Sequence, residues 1–118
     1  MKKIILYSYL KCSTCRKAAN WLENKNLEFQ LIDIVKEPPH MNYLNLALEQ
    51  YSDDKKRIFN TRGKAFKTLD FDIYSLSKQE IVQLLLSDGK LIKRPFLVFE
   101  ETKFILGFNE IEYAKQFL

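Results

Sequence analysis

The chain has 118 residues, 47% of them hydrophobic, with nine Phe, six Tyr and one Trp, enough apolar material for one domain spanning residues 1–118 around a real core. Lys and Arg number 19 against 15 Asp and Glu, a formal charge of +4 spread along the sequence, which gives no ground for direct nucleic-acid binding and only weakly favours an anionic partner. No stretch approaches the roughly 18 apolar residues of a membrane span, so a soluble, cytoplasmic, monomeric protein is expected.

The opening "MKKIILYSYL" starts like a signal peptide, but its apolar run is short and leads into a cysteine pair without a small-residue cleavage site. "KKIILYSY" therefore predicts a buried strand. "CSTCRKAANWLENKN" predicts a helix: Cys15, Ala18, Ala19 and Leu22 fall on one face, with Arg16, Asn20, Glu23 and Asn24 on the other. "LEFQLIDIV" alternates as a strand does, Phe29 and Leu31 facing opposite to Gln30 and Ile32, until "KEPP" stops it. This β-α-β unit implies parallel strands joined by a right-handed crossover.

The middle of the chain predicts helices over "MNYLNLALEQY", a short piece through "KAFKTL", and "SKQEIVQLLLSDGK", where Ser77 and Glu80 form a capping box and Gly89 a stop. After Pro95, "FLVFE" and "KFILGF" read as strands joined by a polar turn at Glu101 and Thr102, and "NEIEYAKQFL" as a final helix capped by Asn109. The order β-α-β, helices, β-β-α is that of an α/β, thioredoxin-like fold with a helical insertion between its halves.

Cys12 and Cys15 are the only cysteines. A pair at this spacing without an export signal fits a redox couple, half of a zinc site, or two small core residues. Zinc normally needs four ligands, yet there is no second Cys pair, and the single His40 follows "EPP" as a surface residue near a helix start. No metal or cofactor is expected.

Cys12 falls where the first strand hands over to the helix, so its sulfur can face first-turn N–H groups that lack intrahelical partners. A free thiol of pKa about 8.5 is only about 3% ionised at pH 7, and each unit of depression corresponds to about 1.4 kcal/mol. A helix end supplies up to about 2 kcal/mol, with Lys11 or Arg16 adding to it. Cys12 is thus the expected nucleophile, and Cys15, one turn deeper, the expected resolving thiol. Arg94-Pro95 enters the third strand in a loop facing the cysteine helix; a cis bond there is compatible with the fold reading, but the dipeptide itself leaves the isomer open. In "NTRG", Arg62 lies in a turn that Gly63 permits, where its guanidinium could fork onto an oxyanion or an acidic partner.

"CSTCRKAANWL", "NTRGKAFKTL", "KRPFLVF" and "GFNEIEYAKQFL" together resemble the arsenate reductase (ArsC) and Spx/MgsR group. In the reductase branch, the resemblance implies a cysteine that attacks arsenate, arginines that hold its oxygens, and glutaredoxin or thioredoxin as reductant. Cys12 matches that nucleophile, Arg94 matches one arginine and Arg62 another approximately. Gly107 and Phe108 stand where the reductases carry a further arginine, and Cys15 is a feature common in the Spx/MgsR branch. Both departures point toward Spx/MgsR, and hence toward a redox-responsive regulator that binds the RNA polymerase α C-terminal domain. The alternative the resemblance leaves open is an arsenate-reductase-like thiol oxidoreductase, with Cys12 as nucleophile and Cys15 or glutaredoxin or thioredoxin resolving it. Asp54 replaces the glycine that Spx proteins carry at that contact, and "AKQFL" ends short of the Spx tail.

Overall fold

Residues 3–118 are described by the structure, a computed structural model; Lys2 of the predicted first strand lies outside them. Four strands form one open sheet in the order β2-β1-β3-β4, where β1 is Ile4–Ser8, β2 Gln30–Asp33, β3 Phe96–Phe99 and β4 Lys103–Leu106. Strand β1 runs parallel to β2 and antiparallel to β3, which in turn pairs antiparallel with β4. Helices are α1 (Ser13–Asn24), α2 (Met41–Gln50), α3 (Lys64–Lys67), α4 (Lys78–Ser87) and α5 (Glu110–Phe117). This is the expected thioredoxin-like β-α-β…β-β-α topology, with the helical insertion lying between β2 and β3.

Period-2 alternation divides the core between the sheet's two faces. Leu6, Leu97 and Ile105 form one cross-strand row and pack with Ala18, Trp21 and Leu22 of α1 and Tyr113 of α5. Ile5, Val98 and Phe104 form the next row and meet Leu44 and Leu48 of α2 and Ile81 and Leu85 of α4. A strand covered on both faces must be apolar throughout, which is why "IILY" reads as an unbroken run.

Ser77 and Glu80 make the predicted capping box, and Asn109 Oδ1 accepts the Glu112 N–H at 3.1 Å. Several local expectations need correction. Trp21, unnoticed in the helical spacing, joins Cys15, Ala18 and Leu22 on the buried face of α1, with Ala19 packed half-buried at its edge. Strand β2 is four residues long, and Leu31 is 59% exposed because β2 is a sheet edge. Strand β3 ends at Phe99, and Glu100 and Glu101 turn the hairpin at φ 53° and 62°. Gly89 stops nothing by its own conformation: Asp88 ends α4, and Gly89 is required because a β-carbon there would collide with the Ile34 carbonyl.

The outer edge of β4 is closed by side chains from the insertion. Gln50 Nε2 donates to the Phe104 carbonyl at 2.6 Å, and its Oε1 accepts the Phe104 N–H at 3.0 Å. The Tyr51 hydroxyl donates to the same carbonyl and accepts the Leu106 N–H, each at 3.4 Å. No helix among the described residues is long and apolar enough to cross a membrane.

Candidate functional site

Strand β1 ends at Ser8, and the chain turns through Tyr9–Lys11 so that Cys12 becomes the N-cap of α1, in extended conformation at φ −97° and ψ 114°. N-caps ordinarily present a side-chain oxygen to the orphan N–H groups of the first turn. Here the acceptor is sulfur: Cys12 Sγ takes the Cys15 N–H at 3.3 Å. Both cysteines are free thiols, Cys12 half-buried and Cys15 wholly buried beneath it.

Their electrostatics diverge. Partial burial alone would push the Cys12 thiol up, but hydrogen bonds from the Cys15 thiol and N–H, together with the hydrogen bond and positive charge of Arg94, bring it below the usual 9.0. Cys15 goes the other way, to about 12, first through burial and then because its proton is held by Cys12. One sulfur is readied for ionisation and the other kept protonated.

A groove of about 490 Å³ opens over Cys12, and both Arg62 and Arg94 line it. Three of the four residues singled out by sequence, Cys12, Arg62 and Arg94, thus line one groove; Cys15 does not line it, and is buried with its N–H on the Cys12 sulfur. The Arg94–Pro95 bond is cis, and the Arg94 guanidinium lies over the Tyr9 ring at 4.8 Å. Its Nη1 is buried without a partner among the described residues, a donor left for a ligand. Arg62 is exposed at the groove's rim. Gly63 beside it has an ordinary φ of −76°, and a β-carbon there would meet chiefly the movable end of the Asn60 side chain, 2.6 Å from its nitrogen.

Lys11 reaches the groove, whereas Arg16 is turned away, its Nη1 donating to the Leu10 carbonyl at 2.7 Å. Lys93 was not singled out by sequence, although its place next to Arg94-Pro95 was the available signal. Gly107 and Phe108 also line the groove without adding charge. A larger hollow, about 800 Å³, lies between the start of β1 and the chain's C-terminal end, but contains neither cysteine nor arginine. Among the described residues no cluster of His, Cys, Asp and Glu is placed to hold a metal ion, and His40 caps α2 by accepting the Asn42 N–H at 3.1 Å.

The sheet topology and the cysteine pair at the start of α1 define a thioredoxin-like protein with a Cys-x-x-Cys redox motif. More particularly, the chain belongs to the ArsC family, whose profile matches residues 7–116. The uncharacterized protein YusI of Bacillus subtilis is 39% identical over 114 residues, 95% of this chain and 96% of that one. The global transcriptional regulator Spx of Lactiplantibacillus plantarum is 33% identical over 112 residues, 95% of this chain and 84% of that one. The crystal structure of a possible arsenate reductase from Streptococcus mutans superposes with a TM-score of 0.89 at 36% identity, covering 99% of this chain and 100% of that one. These values place the chain no nearer the Spx regulators than the reductase-like proteins.

Proposed function

We propose that this protein is a cytoplasmic thiol oxidoreductase of the arsenate-reductase-like type, with Cys12 as nucleophile and Cys15 as resolving thiol. The observation that carries the reading is the opposed tuning of the two sulfurs, Cys12 lowered and Cys15 raised to about 12. The Cys12 thiolate attacks one sulfur of a substrate disulfide; the S–S bond breaks, the departing thiolate takes a proton from water, and a mixed disulfide remains on Cys12. Losing the Cys12 negative charge relieves part of what holds the Cys15 proton. Cys15 then ionises, attacks Cys12 and releases the second substrate thiol. The substrate disulfide has become two thiols and the Cys12–Cys15 dithiol a disulfide, which glutaredoxin or thioredoxin reduces by the same exchange in reverse. Arg94 and Arg62 hold negative charge on the incoming group.

The test is turnover of a small disulfide with a thioredoxin or glutaredoxin system supplying electrons. Turnover should vanish in Cys12→Ser, and Cys15→Ser should accumulate the mixed disulfide, read by intact mass. Equal turnover in Cys12→Ser would sink the assignment.

The 33% identity to Spx supports a second reading, a redox-responsive Spx/MgsR-like regulator that binds the RNA polymerase α C-terminal domain with Arg62 contributing. Calorimetric titration of that domain in reducing and oxidising buffer decides it, and no heat in either buffer removes it.

A further inference from the structure

We propose that the charge-holding surface runs from Cys12 across Lys93 into a second hollow, so that what docks at the cysteine is an acidic polypeptide segment. This rests on Cys12 being the reactive thiol, as proposed above. The second hollow, about 330 Å³, is walled by Tyr51, Lys56, Arg57, Phe59 and Thr61, and shares Lys93 and Leu106 with the cysteine groove. The chain from Phe59 to Arg62 forms the ridge between them. Phe59 and Thr61 line the second hollow, Asn60 and Arg62 the first.

The charge on this surface is predominantly positive. Lys11, Arg62, Lys93 and Arg94 line the cysteine groove with no carboxylate among them, and Lys56 and Arg57 extend the positive surface beyond Lys93. Asp54, the one carboxylate in either wall, keeps its negative charge, since the Tyr74 hydroxyl at 2.7 Å and the Lys56 N–H at 3.0 Å both favour the ionised form. The second hollow is therefore net positive through Lys56, Arg57 and Lys93. Arg57 pairs with Asp53 at 3.2 Å, both of them exposed, and stacks 4.5 Å from the Tyr51 ring centre. Such an exposed pair is readily exchanged for another carboxylate. Lys11, Lys56, Arg62 and Lys93 make no ion pair among the described residues.

Lys93 passes close beside Gly107. Its Cε lies 3.2 Å from where a β-carbon of Gly107 would stand, and Gly107 takes a φ of +81°, so the lysine stem crosses the turn where a larger residue would crowd it. A single small oxyanion beside Cys12 would use Arg94 and its neighbours and would not reach Lys56 or Arg57, which line only the second hollow. An extended peptide advances about 3.3 Å per residue, so successive carboxylates can meet both hollows. Complementarity of this kind raises encounter rate and selects among partners.

The test separates docking from chemistry by using Cys12→Ser/Cys15→Ser protein and cysteine-free, dye-labelled peptides of about eight residues, one rich in Glu and one with Gln in its place, read by fluorescence anisotropy. The Glu peptide should bind about tenfold or more tightly than the Gln peptide, and weaken as salt rises from about 0.05 to about 0.2 M. Lys93→Glu and Lys56→Glu should each weaken it about tenfold. Lys25→Glu, at the far end of α1, should change it less than about twofold, because a twelve-residue helix puts Lys25 about 18 Å from Cys12. Equal binding of the two peptides, or equal weakening by Lys25→Glu, overturns the proposal. No thiol takes part in this measurement, so failed disulfide turnover counts against the oxidoreductase reading alone.

Discussion

The backbone N–H of Cys15 points at the sulfur of Cys12 from 3.3 Å, so the second cysteine of the pair stabilises charge on the first. Sulfur here occupies a place that hydroxyl and carboxylate oxygens fill at most helix starts, and it is the ionised form that gains most from the bond.

Alkylation should therefore discriminate strongly between the two thiols. In the wild type, peptide-resolved iodoacetamide labelling against pH should give Cys12 a midpoint below the usual 9.0 and leave Cys15 protected until about pH 12. Arg94→Gln removes a hydrogen bond and a positive charge from Cys12, so its midpoint should move up. Coincident midpoints for the two cysteines would be incompatible with the site described.

Cys15 also makes stability depend on alkaline pH. Its thiol ionises near the usual 9.0 when unfolded but only near 12 when folded, so between those values the unfolded chain releases a proton that the folded chain keeps. The stabilisation is fully present below about pH 9 and is lost progressively as pH rises toward 12. At about pH 10.5, reduced wild type should have lost about 1–2 kcal/mol relative to Cys15→Ala, after allowance for solvent in the adjoining groove. Urea unfolding of both proteins at about pH 8 and about pH 10.5 checks this; parallel losses would refute it.

Gly89→Ala should destabilise the fold by about 2–4 kcal/mol, since the new methyl group meets the Ile34 backbone rather than a side chain able to turn aside. The signature is a lower urea midpoint at unchanged slope. A change within about 0.5 kcal/mol would mean that the backbone around Ile34 yields more easily than its packing indicates.

Glu101→Gly should act in the opposite direction. Glu101 holds φ at 62° in an exposed turn, a conformation that costs a side-chain-bearing residue about 1 kcal/mol and glycine much less. The thermal midpoint should rise by a few degrees. A lower midpoint would show that the Glu101 side chain supplies compensating contacts.

The sequence displayed local devices far better than distant ones. The buried run at Ile4–Tyr7, the Ser77–Glu80 box and the Asn109 cap are each encoded within a few residues, and all stand in the structure. Cys12 at the helix start was legible for the same reason. Lys93 and Gln50 were not. Lys93 lies beside Gly107 across the β3–β4 hairpin, and Gln50 takes its place from Phe104, 54 positions away. Neither leaves a periodic mark on its own segment. Gly89 was visible as a glycine but misread, because turn statistics anticipate a special backbone angle where the actual constraint is the proximity of the Ile34 backbone.

The side-chain amide of Gln50 and the hydroxyl of Tyr51 do for β4 what a fifth strand would otherwise do. The insertion is for that reason no detachable ornament on a minimal redox fold. A miniaturised version, trimmed to the four strands with α1 and α5, would bare the apolar row of Ile5, Val98 and Phe104 together with a strand edge ready to pair with its own kind. Anyone engineering a smaller scaffold from this chain would have to supply a substitute edge guard, such as a lysine or proline on the outer side of β4, to keep the copies apart.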